Sequence, residues 1–129
     1  MNHVTDNEKE TRLLVEDMVT ALDSYTHTCL GESEYPRNQR YILCNEISRL
    51  VNEIFTLAVK LKKRYYTKTT LQQIDVNLEI LRYKIRESEF KHYIKKDRKQ
   101  KWIRKVNEVG NIIGAMLEKQ KRGDKQQDK

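Results

Sequence analysis

The sequence predicts an all-α protein, and three observations support that class. The chain of 129 residues contains one proline and four glycines, so few positions interrupt a helix. Apolar residues recur three and four positions apart in four long segments, which is the spacing of one helix face. The one strong loop signal, GESEYP at 31–36, separates the first two segments. Four amphipathic helices joined by short loops predict an antiparallel up-down-up-down four-helix bundle.

The first two helices begin at recognisable signals. Helix one is predicted from about Thr5 to Leu30, because Thr5 and Glu8 fit a capping box. Helix two is predicted from about Pro36, a favoured first-turn residue, to about Tyr66. The apolar seams are expected at Leu14, Met18, Leu22, Tyr25 and Cys29 on helix one, and at Leu43, Ile47, Leu50, Ile54, Leu57 and Leu61 on helix two.

The last two helices also open on capping signals. Helix three is predicted to start at Thr70, with Gln73 completing the box, and helix four near Asp97, with Gln100 three residues on. The seams are expected at Leu71, Ile74, Leu78, Leu81 and Ile85, and at Trp102, Val106, Val109, Ile113 and Met116. Residues 1–120 therefore form a single bundle domain. Residues 121–129 contain no apolar side chain and are predicted to be a disordered polar tail.

Two features predict that the bundle self-associates. Helix three carries a second apolar stripe, which lies roughly opposite Leu78 at about 100° per residue. An exposed apolar patch of this kind usually marks an interface, so we expect a homo-oligomer. Two glycines four residues apart leave one edge of helix four without side chains. This edge allows either close packing inside the bundle or a subunit contact. The predicted oligomer interface is Val76, Ile80, Tyr83, Gly110 and Gly114.

Charge is distributed unevenly along the chain. Residues 1–34 carry a net charge of −6 against +7 for the whole chain, so the remainder carries +13. This asymmetry indicates an anionic partner for the basic part, with RNA, DNA or an acidic protein all possible. The bases concentrate in a first basic run, residues 60–68, and a second basic run, residues 90–105. The up-down bundle places these runs at opposite ends.

Lysine and arginine side chains neutralise phosphates, and interleaved aromatic rings stack on unpaired nucleotides. The aromatic residues in question are Tyr65, Tyr66, Tyr93 and Trp102, of which Trp102 falls on the seam and is assigned to the core. Arg82, Lys84 and Arg86 lie between the two runs and are expected to connect them. The predicted nucleic-acid contacts are Lys60, Lys62, Lys63, Arg64, Lys68, Lys91, Lys95, Lys96, Arg98, Lys99, Lys101 and Arg104.

Several classes of protein are disfavoured. No run of about 18 apolar residues exists to span a membrane, and the polar, acidic N-terminus does not resemble a signal peptide, so we expect a cytoplasmic protein without membrane contact. Cys29 and Cys44 are predicted to be buried free thiols. The histidines have no metal-ligand spacing, so we expect no metal site and no cofactor.

One motif leaves an enzymatic alternative open. Arg86 and His92 form an R-x5-H spacing that resembles the loose motif of the helical HEPN ribonucleases. A motif this short arises by chance in basic helical chains. We therefore predict a protein that is not an enzyme, and keep a ribonuclease using these two residues as the alternative.

Three segments resemble one known family. EYPRNQRYILCNEI at the start of helix two, VNLEILRYKIRE on helix three and KVNEVGNIIGAMLEK on helix four are similar to motifs of the accessory variability determinant proteins. These proteins belong to diversity-generating retroelements. The resemblance covers roughly residues 10–120, with the motifs in the same order. The matching residues are Pro36, Arg37, Arg40, Leu43, Asn77, Leu81, Arg82, Arg86, Glu108, Gly110 and Gly114.

The resemblance implies a specific function. Family members form homo-pentameric barrels of four-helix bundles with a basic surface. They associate with the retroelement's reverse transcriptase and its RNA template, support mutagenic copying into cDNA, and have no catalytic activity. Related bundles are encoded in intervening sequences of rRNA genes, which leaves an alternative without a reverse transcriptase partner. Four matching arginines either join the nucleic-acid contacts or pair with acids such as Glu46, Glu79 and Glu108: Arg37, Arg40, Arg82 and Arg86.

Overall fold

A computed structural model describes residues 6–127, with side chains for residues 8–123. In that part of the chain every regular element is a helix: α1 (Asp6–Glu32), α2 (Arg37–Tyr41), α3 (Leu43–Lys62), α4 (Thr67–Phe90) and α5 (Lys96–Gln127). α1 packs against α3, α3 against α4, α4 against α5, and α5 against α1. The predicted all-α class is confirmed, and the four long helices form the predicted bundle. Within the described range, no helix has the length and hydrophobicity that crossing a membrane requires.

Ion pairs between helices show that neighbouring helices are antiparallel. Glu16, in the first half of α1, pairs with Lys62 at the end of α3 at 3.1 Å. Glu32, at the end of α1, pairs with Arg98 in the first turn of α5 at 2.9 Å. The bundle therefore has two distinct ends. The α3–α4 end carries the turn of residues 63–66, and the α4–α5 end carries the turn of residues 91–95.

The core is one apolar cluster that all four long helices share. The five predicted seam residues of α4 are fully buried, as are Trp102, Val106, Val109 and Ile113 on α5. On α3 the predicted seam is buried except for Leu50, which is half-buried. On α5 the last predicted seam residue, Met116, is also half-buried. Each fully buried aliphatic side chain stabilises the fold by about 1.5–3 kcal/mol. The apolar spacing therefore located three of the four core faces.

The predicted face of α1 was wrong by about one position. The buried residues are Val15, Val19, Leu22, Thr26 and Cys29, whereas Leu14 is 46% exposed. Met18 and Tyr25 lie half-buried at the margin of the core. The apolar pattern alone is ambiguous here, because apolar residues precede both Val15 and Val19. A polar residue completes the true face.

The second predicted helix is broken near its start. α2 ends at Tyr41, and Ile42, with φ −108° and ψ −77°, separates it from the start of α3. The Arg40 guanidinium donates hydrogen bonds to the backbone carbonyls of Leu30 at 3.1 Å and Ser33 at 3.0 Å. It thus caps the end of α1 and fixes the direction of the short helix. Arg40 is therefore bound to the bundle's own backbone.

The two later helices start earlier than the capping boxes predict. α4 starts at Thr67, and Thr70 lies inside the first turn, where its hydroxyl donates to the Tyr65 carbonyl at 2.8 Å. α5 starts at Lys96, so Asp97 lies in the first turn rather than at the cap. A carboxylate there still complements the positive end of the helix dipole.

At its C-terminal end, α5 continues through Gln127, into the segment for which the sequence predicts a polar tail. Lysine, arginine and glutamine are good helix formers, so the segment can extend the helix without an apolar face. Residues 128–129 and the predicted cap Thr5 lie outside the described residues.

Two buried hydrogen bonds cross the core, one between α1 and α5 and one from the loop before α2 to α4. The indole Nε1 of Trp102 donates to Thr26 Oγ1 at 3.0 Å, and both side chains are fully buried. The Tyr35 hydroxyl donates to Ser88 Oγ at 2.8 Å, and Ser88 in turn donates to the Lys84 carbonyl at 2.9 Å. Each bond satisfies a polar group that would otherwise be costly to bury. Thr26 thus explains why the core face of α1 is not purely apolar.

Replacing Thr26 by valine tests this explanation. Thr26→Val keeps the volume but leaves the buried Trp102 N–H without a partner, so we expect the free energy of unfolding to fall by about 1–3 kcal/mol. Thr20→Val is the matched control, because Thr20 is exposed and only donates to the Glu16 carbonyl within its own helix. Urea denaturation followed by Trp102 fluorescence measures both values. Equal effects of the two substitutions would contradict the role given to Thr26.

Gly110 and Gly114 of α5 have different surroundings. A Cβ at position 110 would lie 2.5 Å from Nη2 of Arg82, whereas a Cβ at position 114 meets nothing within 4 Å. Arg82 also donates to Asn107 at 2.8 Å and to Glu79 at 2.9 Å. Gly110 therefore makes room for an arginine of the neighbouring helix. Among the described residues, no side chain approaches Gly114 in this way.

Alanine at the two glycines should give different stabilities. Gly114→Ala should raise the free energy of unfolding by about 0.8–1 kcal/mol, the helix propensity of alanine over glycine. Gly110→Ala should gain less or lose stability, because its methyl group displaces the Arg82 guanidinium. The difference should vanish in an Arg82→Ala background. Chemical denaturation of the variants measures this, and a persistent difference in that background would show that Arg82 is not the cause.

Candidate nucleic-acid interface

The turn within the first basic run has a cation in a strained backbone conformation. Beyond the end of α3, the Arg64 N–H donates to the Leu61 carbonyl and the Tyr65 N–H donates to the Lys60 carbonyl, both at 3.0 Å. This is a Schellman motif, whose left-handed position is usually glycine. Here Arg64 occupies it with φ 65°, and Tyr66 follows with φ 48°. The chain therefore places a charged side chain where glycine would be less strained.

The turn at the opposite end repeats this arrangement. After α4, the His92 N–H donates to the Glu89 carbonyl at 2.9 Å and the Tyr93 N–H donates to the Ser88 carbonyl at 2.8 Å. His92 takes the left-handed position with φ 62°. Arg86, its partner in the ribonuclease alternative, lies over the Tyr83 ring at 5.8 Å. Both residues thus have structural contacts that need no catalytic role.

Among the twelve predicted nucleic-acid contacts, Lys62, Lys91 and Arg98 form ion pairs. Lys62 and Arg98 bridge to α1 as described, and Lys91 lies 3.8 Å from Glu87 within its own helix. Most of the other predicted contacts are exposed, and only Lys99 is half-buried. Those exposed side chains are Lys60, Lys63, Arg64, Lys68, Lys95, Lys96, Lys101 and Arg104.

The two basic runs lie at opposite ends of the bundle, as the sequence predicts. The connecting residues are less available than expected. Arg82 is held by Glu79 and Asn107, and Lys84 pairs with Glu46 at 2.6 Å. Of the three proposed connectors only Arg86 is exposed. The sequence's alternative reading, in which some arginines pair with acids inside the bundle, is confirmed for Arg82.

A cleft at the α4–α5 end adjoins the second basic run. It has a volume of about 640 Å³ and lies between the end of α1 and the start of α5. Two tyrosines line it, Tyr25 and Tyr93, together with three acids, Glu32, Glu34 and Asp97. Its basic residues are Lys95, Arg98, Lys101 and Arg104. This mixed lining gathers four of the twelve predicted contacts in one place.

The aromatic residues of the runs divide into core and surface groups. Trp102 is fully buried, which confirms its assignment to the core. Tyr93 is half-buried and lies against the Tyr35 ring, with centroids 5.5 Å apart. Tyr65 and Tyr66 are exposed, the latter by 85%, at the tip of the α3–α4 turn. These two rings are free to stack on a base, whereas the buried ring is not.

The structure gives two further cations a defined place. Lys105, which ends the second basic run, lies over the Tyr25 ring of α1 at 5.3 Å. Arg12 belongs to the acidic first helix, yet burial and then the nearby charge of Arg64 lower the pKa of its guanidinium below the ordinary value. No signal in the sequence places it there, because the proximity comes from antiparallel packing of α1 on α3.

Other reactive groups are shielded. Cys29 and Cys44 are buried free thiols, as predicted. Burial raises the pKa of Cys29 to about 11, so the thiol stays protonated near neutral pH. Burial likewise raises the pKa of the Tyr35 hydroxyl to about 12. Within the described side chains, no three His, Cys, Asp or Glu residues are grouped so that they could hold a metal ion.

The second stripe of α4 is exposed as the sequence predicts. Val76, Ile80 and Tyr83 are 56%, 39% and 64% exposed, and Phe90 extends the stripe toward the end of the helix. Of the two predicted glycine contacts, Gly110 lies under Arg82 of the same chain and Gly114 is open. The stripe is thus available to a partner, and Gly110 is engaged in the bundle.

Comparison with known proteins addresses the family. Neither the curated proteins nor the solved structures contain a match to this chain. The model of the family described as bAvd-like matches residues 13–120, which span α1 from its first third through most of α5. The matched segment includes both basic runs, the exposed stripe of α4 and the two glycines of α5. The chain belongs to the bAvd-like family.

Proposed function

We propose that this protein is a non-catalytic accessory protein of a diversity-generating retroelement. It acts in the cytoplasm as a homo-oligomer, with a pentamer favoured. It binds the reverse transcriptase together with template RNA or cDNA, and so supports mutagenic reverse transcription. The observation that carries the proposal is membership of the bAvd-like family over residues 13–120.

The electrostatics support nucleic acid as one partner. Exposed bases lie at both ends of the bundle, and at the α4–α5 end several of them line a cleft that also contains aromatic rings. Exposed cations of this kind bind phosphates by releasing counterions, which gives salt-sensitive and weakly sequence-specific binding. The reverse transcriptase partner is supported by the family alone.

Removing exposed lysines of the second basic run tests the nucleic-acid interface. Lys95→Gln, Lys96→Gln and Lys101→Gln together should weaken binding to a single-stranded RNA. They should also reduce the slope of log affinity against log salt by about 2, or about 0.7 for each lost phosphate contact. Fluorescence anisotropy across a salt series measures both quantities.

The matched control removes three exposed bases elsewhere, Arg49→Gln, Lys121→Gln and Arg122→Gln, with the same change in charge. If both triple variants lose RNA affinity to the same extent, the effect is one of net charge alone, and the assigned interface is contradicted. The RNA is also run on a denaturing gel after incubation. Cleavage that depends on His92 would favour the ribonuclease alternative over an accessory role.

The exposed stripe of α4 is the proposed subunit contact. Light scattering at tens of micromolar should give a mass several times the 15.5 kDa of one chain, with five copies favoured. Ile80→Glu with Tyr83→Glu should return the protein to one chain, because burying a carboxylate in an apolar contact is costly. Asn52→Glu, on an exposed position of α3, is the control. A wild-type monomer would disprove the oligomer.

A further inference from the structure

A small hollow between α1 and the α3–α4 turn has an unusual lining. Its volume is about 270 Å³, and we call it the arginine hollow; it is lined by Lys9, Arg12, Leu13, Lys62 and Arg64. Among these described residues, four are basic and none is acidic. The volume is below the roughly 300–1,000 Å³ of sites for drug-sized ligands, which suits one small anionic group.

The two guanidinium groups of the hollow are held near each other at a cost. Burial and the charge of Arg64 lower the pKa of Arg12, so the surroundings disfavour its cation. The Nε of Arg12 is covered and has no hydrogen-bond partner among the described side chains. An unpaired buried donor costs about 1–3 kcal/mol. An anion in the hollow would offset the repulsion between the two guanidinium cations.

The backbone at Arg64 adds a second, independent cost. A left-handed conformation costs a residue with a side chain roughly 1–2 kcal/mol, and glycine avoids most of it. Strain of this kind at an exposed turn is commonly found where the side chain has a function. The conformation places the Arg64 side chain at the hollow, opposite Arg12 of α1.

The neighbouring acids already have partners. Glu16 pairs with Lys62 at 3.1 Å, and Glu8, which attracts Arg12, also pairs with Lys119 at 3.3 Å. Lys62 is therefore partly neutralised, and the two arginines remain the strongest donors. A guanidinium presents parallel N–H groups that match the oxygens of a phosphate.

We propose that the arginine hollow binds a backbone phosphate of a nucleic-acid strand, with Arg12 and Arg64 as the donors. This rests on the proposed function and adds to it a defined contact made by the acidic helix α1. It also joins α1 to the first basic run as one binding surface. Lys9 and Lys62 contribute charge at the rim.

Inorganic phosphate is the first probe of the hollow. Phosphate at about ten times its Kd should raise the Tm of the wild-type protein by about 4 °C over sodium chloride of equal ionic strength. Arg12→Gln should abolish this rise. Arg49→Gln, which removes one exposed arginine of α3, should keep it. Arg64→Gly should also abolish the rise, while its Tm without phosphate increases because the strain is relieved.

A single-stranded oligonucleotide tests the source of the phosphate. Arg12→Gln should weaken its binding about tenfold, the effect of losing a charge-assisted hydrogen bond, against about twofold for Arg49→Gln. No phosphate effect in the wild type, or an equal one in Arg12→Gln, would overturn the site. A phosphate effect lost in Arg12→Gln without a selective loss of oligonucleotide affinity would overturn the strand as its ligand.

These results separate the site from the proposed function. If the triple lysine variant loses oligonucleotide binding while Arg12→Gln behaves as Arg49→Gln does, the hollow is wrong and the accessory role stands. If the wild-type protein binds no oligonucleotide, the proposed function fails and the strand assignment fails with it. In that case the Tm measurements with phosphate still report whether the hollow binds a free anion.

Discussion

The structure depends on enclosing a single apolar core with four helices that are joined by short turns. Short turns make each helix antiparallel to the next. Each helix must therefore turn its apolar face toward the common core of the bundle. The seams of α3, α4 and α5 meet this requirement with aliphatic residues and Trp102. α1 meets it with a threonine as well, because Trp102 needs an acceptor inside the core. This arrangement also determines which charged and apolar side chains are exposed on the surface.

The antiparallel order also determines how charge is distributed. It brings the acidic first helix beside the basic ends of α3 and α5, where Glu16 and Glu32 pair with Lys62 and Arg98. Some of the charges that make the chain asymmetric therefore join helices to each other. Ion pairs that are as open to solvent as these contribute only about 0–1 kcal/mol each. Exposed cations near the turns, among them Lys63 and Lys95, are available to an anionic partner.

The two turns show how such cations are displayed. Both use a Schellman motif, and both place a side chain rather than glycine at the left-handed position, Arg64 in one and His92 in the other. The hydrogen bonds of the motif satisfy the helix ends, so the strain is local. At Arg64 the conformation brings a cation toward Arg12 on a different helix. The same Schellman motif thus ends α3 and places one residue of the arginine hollow.

The sequence by itself determined the helical class, the four long segments, three core faces and the separation of the two basic runs. These follow from periodicity and from the order of elements, which are properties of local spacing. Tertiary structure decided what spacing leaves ambiguous: the rotation of α1, the break at Ile42 and the first residues of α4 and α5. It alone decided which cations are paired and that Gly110 admits Arg82. It also decided that Arg12 meets Arg64, since charges distant in the chain become neighbours only when packing brings their helices together.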